Sequence, residues 1–461
     1  MAKAEYRRVF VMTAHKPFSA VILAAGKGTR MRSDTHKILH ALAGRPLLGW
    51  VLDSLAPLSP DHTVVVTGSG REQVENYLKQ VDLPVTSVTQ EEQLGTAHAV
   101  AQAKSALKDF KGDIVVLYGD VPLVQPKTIK ALLERLHHED KPTVAVLAFR
   151  PDDPRQYGRI VTDKTAHIQK MVEYKDASEE ERAITLCNSG LLAIRAHDLW
   201  PLLSRVQNNN ASGEYYLPDI VMLALSEGCQ AVTVDAEAWE VSGVNNRAEL
   251  ASLESLWQNR KRQDVMKDGA SLIAPETVWF SYDTEIGRDV IIEPQVFFGR
   301  DVKVANGVTI HSFSHIEGAD IKENVEIGPF ARLRPGAEIA EKAKIGNFVE
   351  IKKSKVEKGA KVNHLTYIGD ATIGAGSNIG GGTITCNYDG FNKSRTEIGE
   401  KAFIGSNSAL VAPVRIGAGA IIAAGSTITH NVPDDSLAIA RSEQENKALW
   451  AKKFRQRKKK K

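Results

Sequence analysis

The sequence predicts two domains of different architecture: a Rossmann-like α/β domain built on a mostly parallel sheet, followed by a left-handed parallel β-helix made of hexapeptide repeats. Three observations predict it. A length of 461 residues exceeds what one hydrophobic core supports. Short β-branched runs alternate with helical stretches up to about residue 245. Beyond residue 270, aliphatic or aromatic residues recur every six positions.

The elements follow in chain order. Residues 1–17 pair Arg7 and Arg8 with only a short apolar stretch and no small-residue cleavage site, so they read as a disordered extension. Residues 18–245 carry the apolar runs SAVILAAG, HTVVVTG, DIVVLYGD and PTVAVLAF as strands. Between them, REQVENYLKQV and QPKTIKALLERLHH have helical spacing, which is the alternation of a parallel sheet covered on both faces. Residues 246–269 lack proline and place Leu250, Leu253, Leu256 and Trp257 at helical spacing, a linking helix.

The six-residue beat then fills residues 270–432. It runs through Ile286, Ile292, Phe298, Val304, Ile310 and Ile316, slips by one to Ile321, Ile327, Leu333, Ile339, Ile345 and Ile351, and slips again at Val356 and Ile373. After Ile379 it restarts at Ile398 and continues to Ile428. Neither a 3.6-residue helical stripe nor simple strand alternation gives this period. The break at TCNYDGFNKSRTE reads as a loop thrown out of the coil, where solenoids commonly carry function. Residues 433–461 form an arm and a basic tail.

Charge and cysteine content exclude several classes. The formal net charge of +3 hides eight positive charges in the last ten residues; the remainder carries 51 basic against 56 acidic residues, about −5. Such a body is a poor nucleic-acid binder. The tail reads as a solvated, mobile end, with contact to an acidic partner the lesser reading. Cys187, Cys229 and Cys386 are too few and too scattered for a disulfide framework, which points to a reducing cytoplasm. No run approaches the length of a membrane-spanning helix.

Chemistry is expected at strand ends. The first strand runs into Ala24-Ala25-Gly26-Lys27-Gly28-Thr29-Arg30, with Lys37 shortly after. Backbone N–H groups of such a loop can approach phosphates while Arg30 and Lys37 neutralise them. The pattern fits neither the Walker loop nor the dinucleotide fingerprint, and by itself reads equally as a tight turn. Asp120 ends another apolar strand, where a lone aspartate is either a cap or a cation ligand.

Together, LAAGKGTRM, Lys37, EEQLGTAHA and LYGDVPL resemble the sugar-nucleotidyltransferases. VEYKDA, CNSG, NNNASGEYYLPD and GVNNR narrow the resemblance to uridylyltransferases acting on N-acetylglucosamine 1-phosphate, over Ser19 to Arg247. That resemblance implies that Leu23, Ala24, Ala25, Gly26, Gln90, Gly95 and Thr96, with Tyr118 and Gly119, hold the uridine nucleotide of UTP. It implies Arg30 and Lys37 on the phosphates, Gly158, Glu173 and Asn188 on the acetylated sugar, and Asp120 and Asn245 on Mg²⁺.

In the coil, FARLRPGAEI, NFVEIKKSK, NHLTYIGD, NIGGGTITCNYDGFNK and GSNSALVAP resemble the glucosamine-1-phosphate acetyltransferase half of the same bifunctional bacterial family. The resemblance implies His364 as general base with Glu350 orienting it. It also implies that Arg334, Lys352, Tyr367, Asn378 and Lys393 hold the amino-sugar phosphate. Asn387, Tyr388, Ser406, Ala424 and Arg441 would line the acetyl-CoA site, and the backbone near Gly381 would offer an oxyanion donor. Where the family commonly has alanine in NIGAGT, this chain has Gly381. The family is trimeric, cytoplasmic and supplies UDP-N-acetylglucosamine for cell-wall and lipopolysaccharide synthesis, so a homotrimer is expected. Three rivals are weaker: a glucose or mannose 1-phosphate nucleotidyltransferase with a passive coil leaves NHLTY and TCNYDG unexplained. A non-catalytic subunit could dispense with Lys37 and Asp120. A metal-dependent coil hydratase needs converging histidines that the spacing of His311, His315, His364 and His430 does not provide.

Overall fold

The computed structural model describes residues 16–154 and 157–459. The extension expected over residues 1–17 lies outside the described residues except for its last two. Two compact units are present, Met1–Trp257 and Gln258–Lys461.

The first unit is organised by a nine-stranded sheet. Its strands are β1 (Phe18–Ala24), β2 (His62–Thr67), β3 (Thr86–Thr89), β4 (Asp113–Tyr118), β5 (Val144–Phe149), β6 (Arg159–Thr162), β7 (Ile168–Val172), β8 (Cys187–Arg195) and β9 (Ala231–Asp235). The order is β9-β5-β8-β4-β1-β2-β3, with β6 pairing β8 and β7. β8 runs antiparallel to both neighbours, whereas β1 is parallel to β2 and β4. Alternate residues of β1 enter two separate cores: Val21 and Leu23 on one face, Ala20 and Ile22 on the other. Burial on both faces is why these strands read as unbroken apolar runs. The parallel register brings the ends of β1 and β4 together, where Gly119 N–H donates to the Leu23 carbonyl at 2.9 Å.

The expected linking helix is observed at Arg247–Lys267, and the two units divide inside it.

The second unit is a left-handed parallel β-helix. Strands of two to four residues stack into three parallel sheets of ten, eight and eight strands. All the residues on the six-residue beat are buried except Ile286, which is partly covered. Each fully buried aliphatic side chain contributes roughly 1.5–3 kcal/mol relative to exposure. The coil extends past the expected end at residue 432, because Leu437–Ala438 still pairs with Ile421–Ile422. The basic tail, expected to be a mobile solvated end, instead contains a helix at Trp450–Lys458 whose residues are all exposed. Lysine, arginine and glutamine are good helix formers, and the segment has neither glycine nor proline.

Candidate active sites

In the first unit the glycine-rich loop leaves β1 and turns through Gly28, whose φ is +59°. A side chain there would be strained, and its Cβ would lie 2.7 Å from the Lys37 Cβ, so glycine lets Lys37 lie against the loop. The Lys37 ammonium donates to Asp120 Oδ2 and, at 3.2 Å, to Asn245 Oδ1. Arg30 Nη2 donates to the same Asn245 oxygen at 2.9 Å. Two oxygens carried by β4 and by the segment before the linking helix therefore converge on one cationic point. Arg30 and Asn245 also line a cavity of about 670 Å³ together with Tyr157, Trp239 and Glu249.

Asp120 and Asn245 are hard oxygen donors suited to Mg²⁺, which binds through one or two protein oxygens and takes its other ligands from water and phosphates.

The residues expected to hold the nucleotide and sugar are linked to these groups through Tyr118, which feels the charges of both Asp120 and Glu173. Gln90, buried, donates to the Gly95 carbonyl at 3.1 Å and meets His98 Nδ1 at 3.0 Å. Thr96 begins the helix Thr96–Gln102, and its hydroxyl accepts from Leu217 N–H at 2.9 Å. Burial, then the charges of Asp120 and Glu173, push the Tyr118 phenol above its ordinary value. Glu173 is likewise pushed up, first by burial and then by repulsion from Asp219 and Asp176. Its carboxylate lies against Gly158, whose carbonyl accepts from Asn188 N–H at 2.9 Å.

In the second unit the expected residues fall into two groups. The first is cationic. The Lys352 ammonium is held below its ordinary value, chiefly by its contact with the Lys393 ammonium, with Arg334 adding to the effect. Glu350 on Arg334 and Asp370 near Lys352 offset only part of this charge, and the positive excess that remains suits an anion. Lys393 is delivered by the loop predicted at the break in the beat, closed by a bridge between Tyr388 and Lys393 and by Ser394 N–H donating to the Asn387 carbonyl at 2.9 Å. Asn387 also donates to Asp370.

The second group lies along one edge of the coil. Leu365 N–H donates to the Asn347 carbonyl, Gly382 N–H to that of His364, Asn407 N–H to that of Gly381 and Gly425 N–H to that of Ser406. Asn347, His364, Gly381, Ser406 and Ala424 thus take equivalent places on successive coils, and Arg441 reaches the next rung beside Gly425. Asn378 and Tyr367 flank this edge on the strands Asn378–Ile379 and Tyr367–Gly369.

One expected pairing is absent. Glu350 accepts from Arg334 Nη1 at 2.8 Å, with Arg332 Nη1 at 3.8 Å, and is in this way turned to the cationic group. His364 Nδ1 instead meets Asn347 Oδ1 at 2.9 Å. Sequence reading also passed over His98, held between Gln90 and Gln102, and Glu249, whose carboxylate accepts from Asn245 N–H at 2.7 Å and from Asn246 Nδ2 at 2.9 Å. An acid three residues after an asparagine at a helix start was the available signal for Glu249.

Comparison with known proteins agrees with both units. The MobA-like NTP transferase domain model matches residues 20–198, and the bacterial transferase hexapeptide (six repeats) model matches residues 395–430. A Zymomonas mobilis protein named Bifunctional protein GlmU is 99% identical over 450 residues, covering 98% of this chain and 100% of its own length. Proteins of the same name from Rhizorhabdus wittichii and Sphingopyxis alaskensis are 61% and 57% identical over 441 residues, covering 96% and 95% of this chain and 97% of each relative.

Proposed function

The chain belongs to the bifunctional GlmU family, and from that membership we propose how its two sites divide the work. The second unit acetylates glucosamine 1-phosphate; the first then joins the product, N-acetylglucosamine 1-phosphate, to the uridylyl group of UTP, giving UDP-N-acetylglucosamine and pyrophosphate. One observation supports the division: the residues proposed for the two transfers fall in different units, Leu23 to Asn245 in Met1–Trp257 and Arg334 to Arg441 in Gln258–Lys461.

In the first unit, Leu23 to Gly26, Gln90, Gly95 and Thr96 bind the nucleotide, with Tyr118 and Gly119 beside them. Gly158, Glu173 and Asn188 orient the sugar. A phosphate oxygen of N-acetylglucosamine 1-phosphate attacks the α-phosphorus of UTP, and the bond from that phosphorus to the bridging oxygen of pyrophosphate breaks. The attacking phosphate oxygen is already anionic at neutral pH, so orientation outweighs base catalysis. Arg30 and Lys37 offset charge on the phosphates. Asp120 and Asn245 would hold Mg²⁺, which supplies further charge neutralisation when bound.

In the second unit, Arg334, Lys352 and Lys393 bind the phosphate of glucosamine 1-phosphate, with Tyr367 and Asn378 on the sugar. Glu350 holds the Arg334 guanidinium. Asn387, Tyr388, Ser406, Ala424 and Arg441 line the acetyl-CoA site. The amine attacks the thioester carbonyl, His364 takes the amine's proton, the Gly381 N–H donates to the oxyanion, and the thiolate departs and is protonated.

The active molecule is a cytoplasmic homotrimer. The exposed stack of Phe313, Phe330 and Phe348 supports assembly, and the free thiols of Cys187, Cys229 and Cys386 support a reducing compartment.

Exchange of function between two variants tests the division. Asp120→Ala is expected to abolish pyrophosphate release while thiol release with glucosamine 1-phosphate and acetyl-CoA persists; His364→Ala is expected to do the reverse. Loss of both activities in either variant, or of neither, overturns it.

A further inference from the structure

We infer that Asn347 is the positioning residue of the acetyl-transfer base, a role that rests on His364 being that base. The two residues are register partners on adjacent parallel strands, Lys344–Asn347 and Lys361–His364. Parallel strands in register place such side chains about 4.8 Å apart, one above the other. The coil thus presents an amide directly to the imidazole, and Asn347 Oδ1 lies 2.9 Å from His364 Nδ1. An acceptor on Nδ1 fixes the proton there and leaves the Nε2 lone pair free to receive a proton from the substrate amine.

The next rung completes the arrangement. Gly381 has no side chain, and a Cβ there would come within 3.3 Å of the His364 Cβ. The imidazole is therefore held from one side by an amide and faces bare backbone on the other.

An amide differs from a carboxylate in what it does to charge. A carboxylate on Nδ1–H stabilises the imidazolium, so a larger share of the base is already protonated at mildly acidic pH. An amide orients the ring without that charge. The groups facing His364 do not replace it. Lys344 shares the strand of Asn347 and Lys361 that of His364, paired in register. The strand on the other side offers Asn378, opposite Lys361, and then Gly381, neither titratable. Glu350 is engaged by Arg334.

The test uses the full-length chain and follows thiol release across pH 5.5–9 for the parent, Asn347→Ala, Asn347→Asp and His364→Ala, with pyrophosphate release as the control. Asn347→Ala is expected to lower kcat for acetyl transfer about tenfold or more, with KM for both substrates and uridylyl transfer held. Asn347→Asp is expected to restore most of kcat at alkaline pH and to move the acid limb of kcat/KM up by about one unit. A parental kcat in Asn347→Ala, or an unmoved acid limb in Asn347→Asp, overturns the positioning role. Undiminished acetyl transfer in His364→Ala overturns the base assignment beneath it, and the two failures are thereby distinguished.

Discussion

His36 immediately precedes Lys37, and its ring is packed near the glycine-rich loop at Gly26 and against Gly70. Burial above all, then the charges of Lys37 and His40, hold its imidazole below the ordinary value against the opposing influence of the nearby Gly26 backbone. His40 is shifted the same way, by burial and then by Arg247. A depressed histidine favours the neutral form in the folded state, so the unfolded chain binds more protons between the folded value and about 6.5. The stability is complete above that ordinary value and is lost as pH falls through the folded one. Replacing His36 with Gln removes one such group. The urea midpoint of the variant is expected to fall less than that of the parent between pH 8 and pH 5; parallel curves would remove His36 from this account. The same scale shows the limits of reading a sequence. Asp120 was legible because it stands just past a strand end, and Lys37 because it follows the glycine-rich loop in sequence. Asn347 was not, because its relation to His364 is a coil spacing of 17 residues that only the stacking register reveals. Motif resemblance drew attention to Glu350, whereas the side chain turns around the corner to Arg334.

At the scale of elements, the beat was legible because it marks only core-facing residues, and nearly all of them are buried. Its slips before Ile321, Val356 and Ile373 are sides shortened by one residue, which the coil absorbs at its corners without losing register. The last strand escaped because Leu437 faces outward and is 62% exposed, so nothing marks it as core. The tail helix escaped because no burial accompanies it. The loop at residues 387–395 was legible as a break, but the crowding it imposes was not. By carrying Lys393 against Lys352 it opposes two like charges until an anion arrives. Lys393→Ala is therefore expected to raise KM for glucosamine 1-phosphate about tenfold, the loss of a charge-assisted contact. The urea midpoint should not fall, because the repulsion is relieved. An unchanged KM would place the phosphate elsewhere.

At the scale of the whole molecule, one corner of the coil needs a cause outside the single chain. Phe313, Phe330, Phe348 and Leu365 occupy it on successive coils with φ between 48° and 63°. Bulky side chains in that left-handed region cost about 1–3 kcal/mol each. Farther along the same corner, Gly382, Asn407 and Gly425 occupy the conformation, residues that adopt it at lower cost. The phenyl rings stack with centroids 4.9 and 5.0 Å apart. Stacking returns only about 0.5–1.5 kcal/mol per pair beyond burial, and the three rings remain 54%, 45% and 54% exposed. Strained, exposed aromatics in a row are accounted for if a second copy covers them, and the row adjoins the edge that carries His364. Phe330→Glu places a charge in the middle of the row while leaving the buried beat intact. It is expected to shift the sedimenting species from the proposed trimer toward monomer at micromolar concentration and to depress acetyl transfer with it, while uridylyl transfer, whose proposed residues lie in the other unit, continues. A variant that sediments as a trimer with undiminished acetyl transfer would show that the row serves some purpose other than assembly.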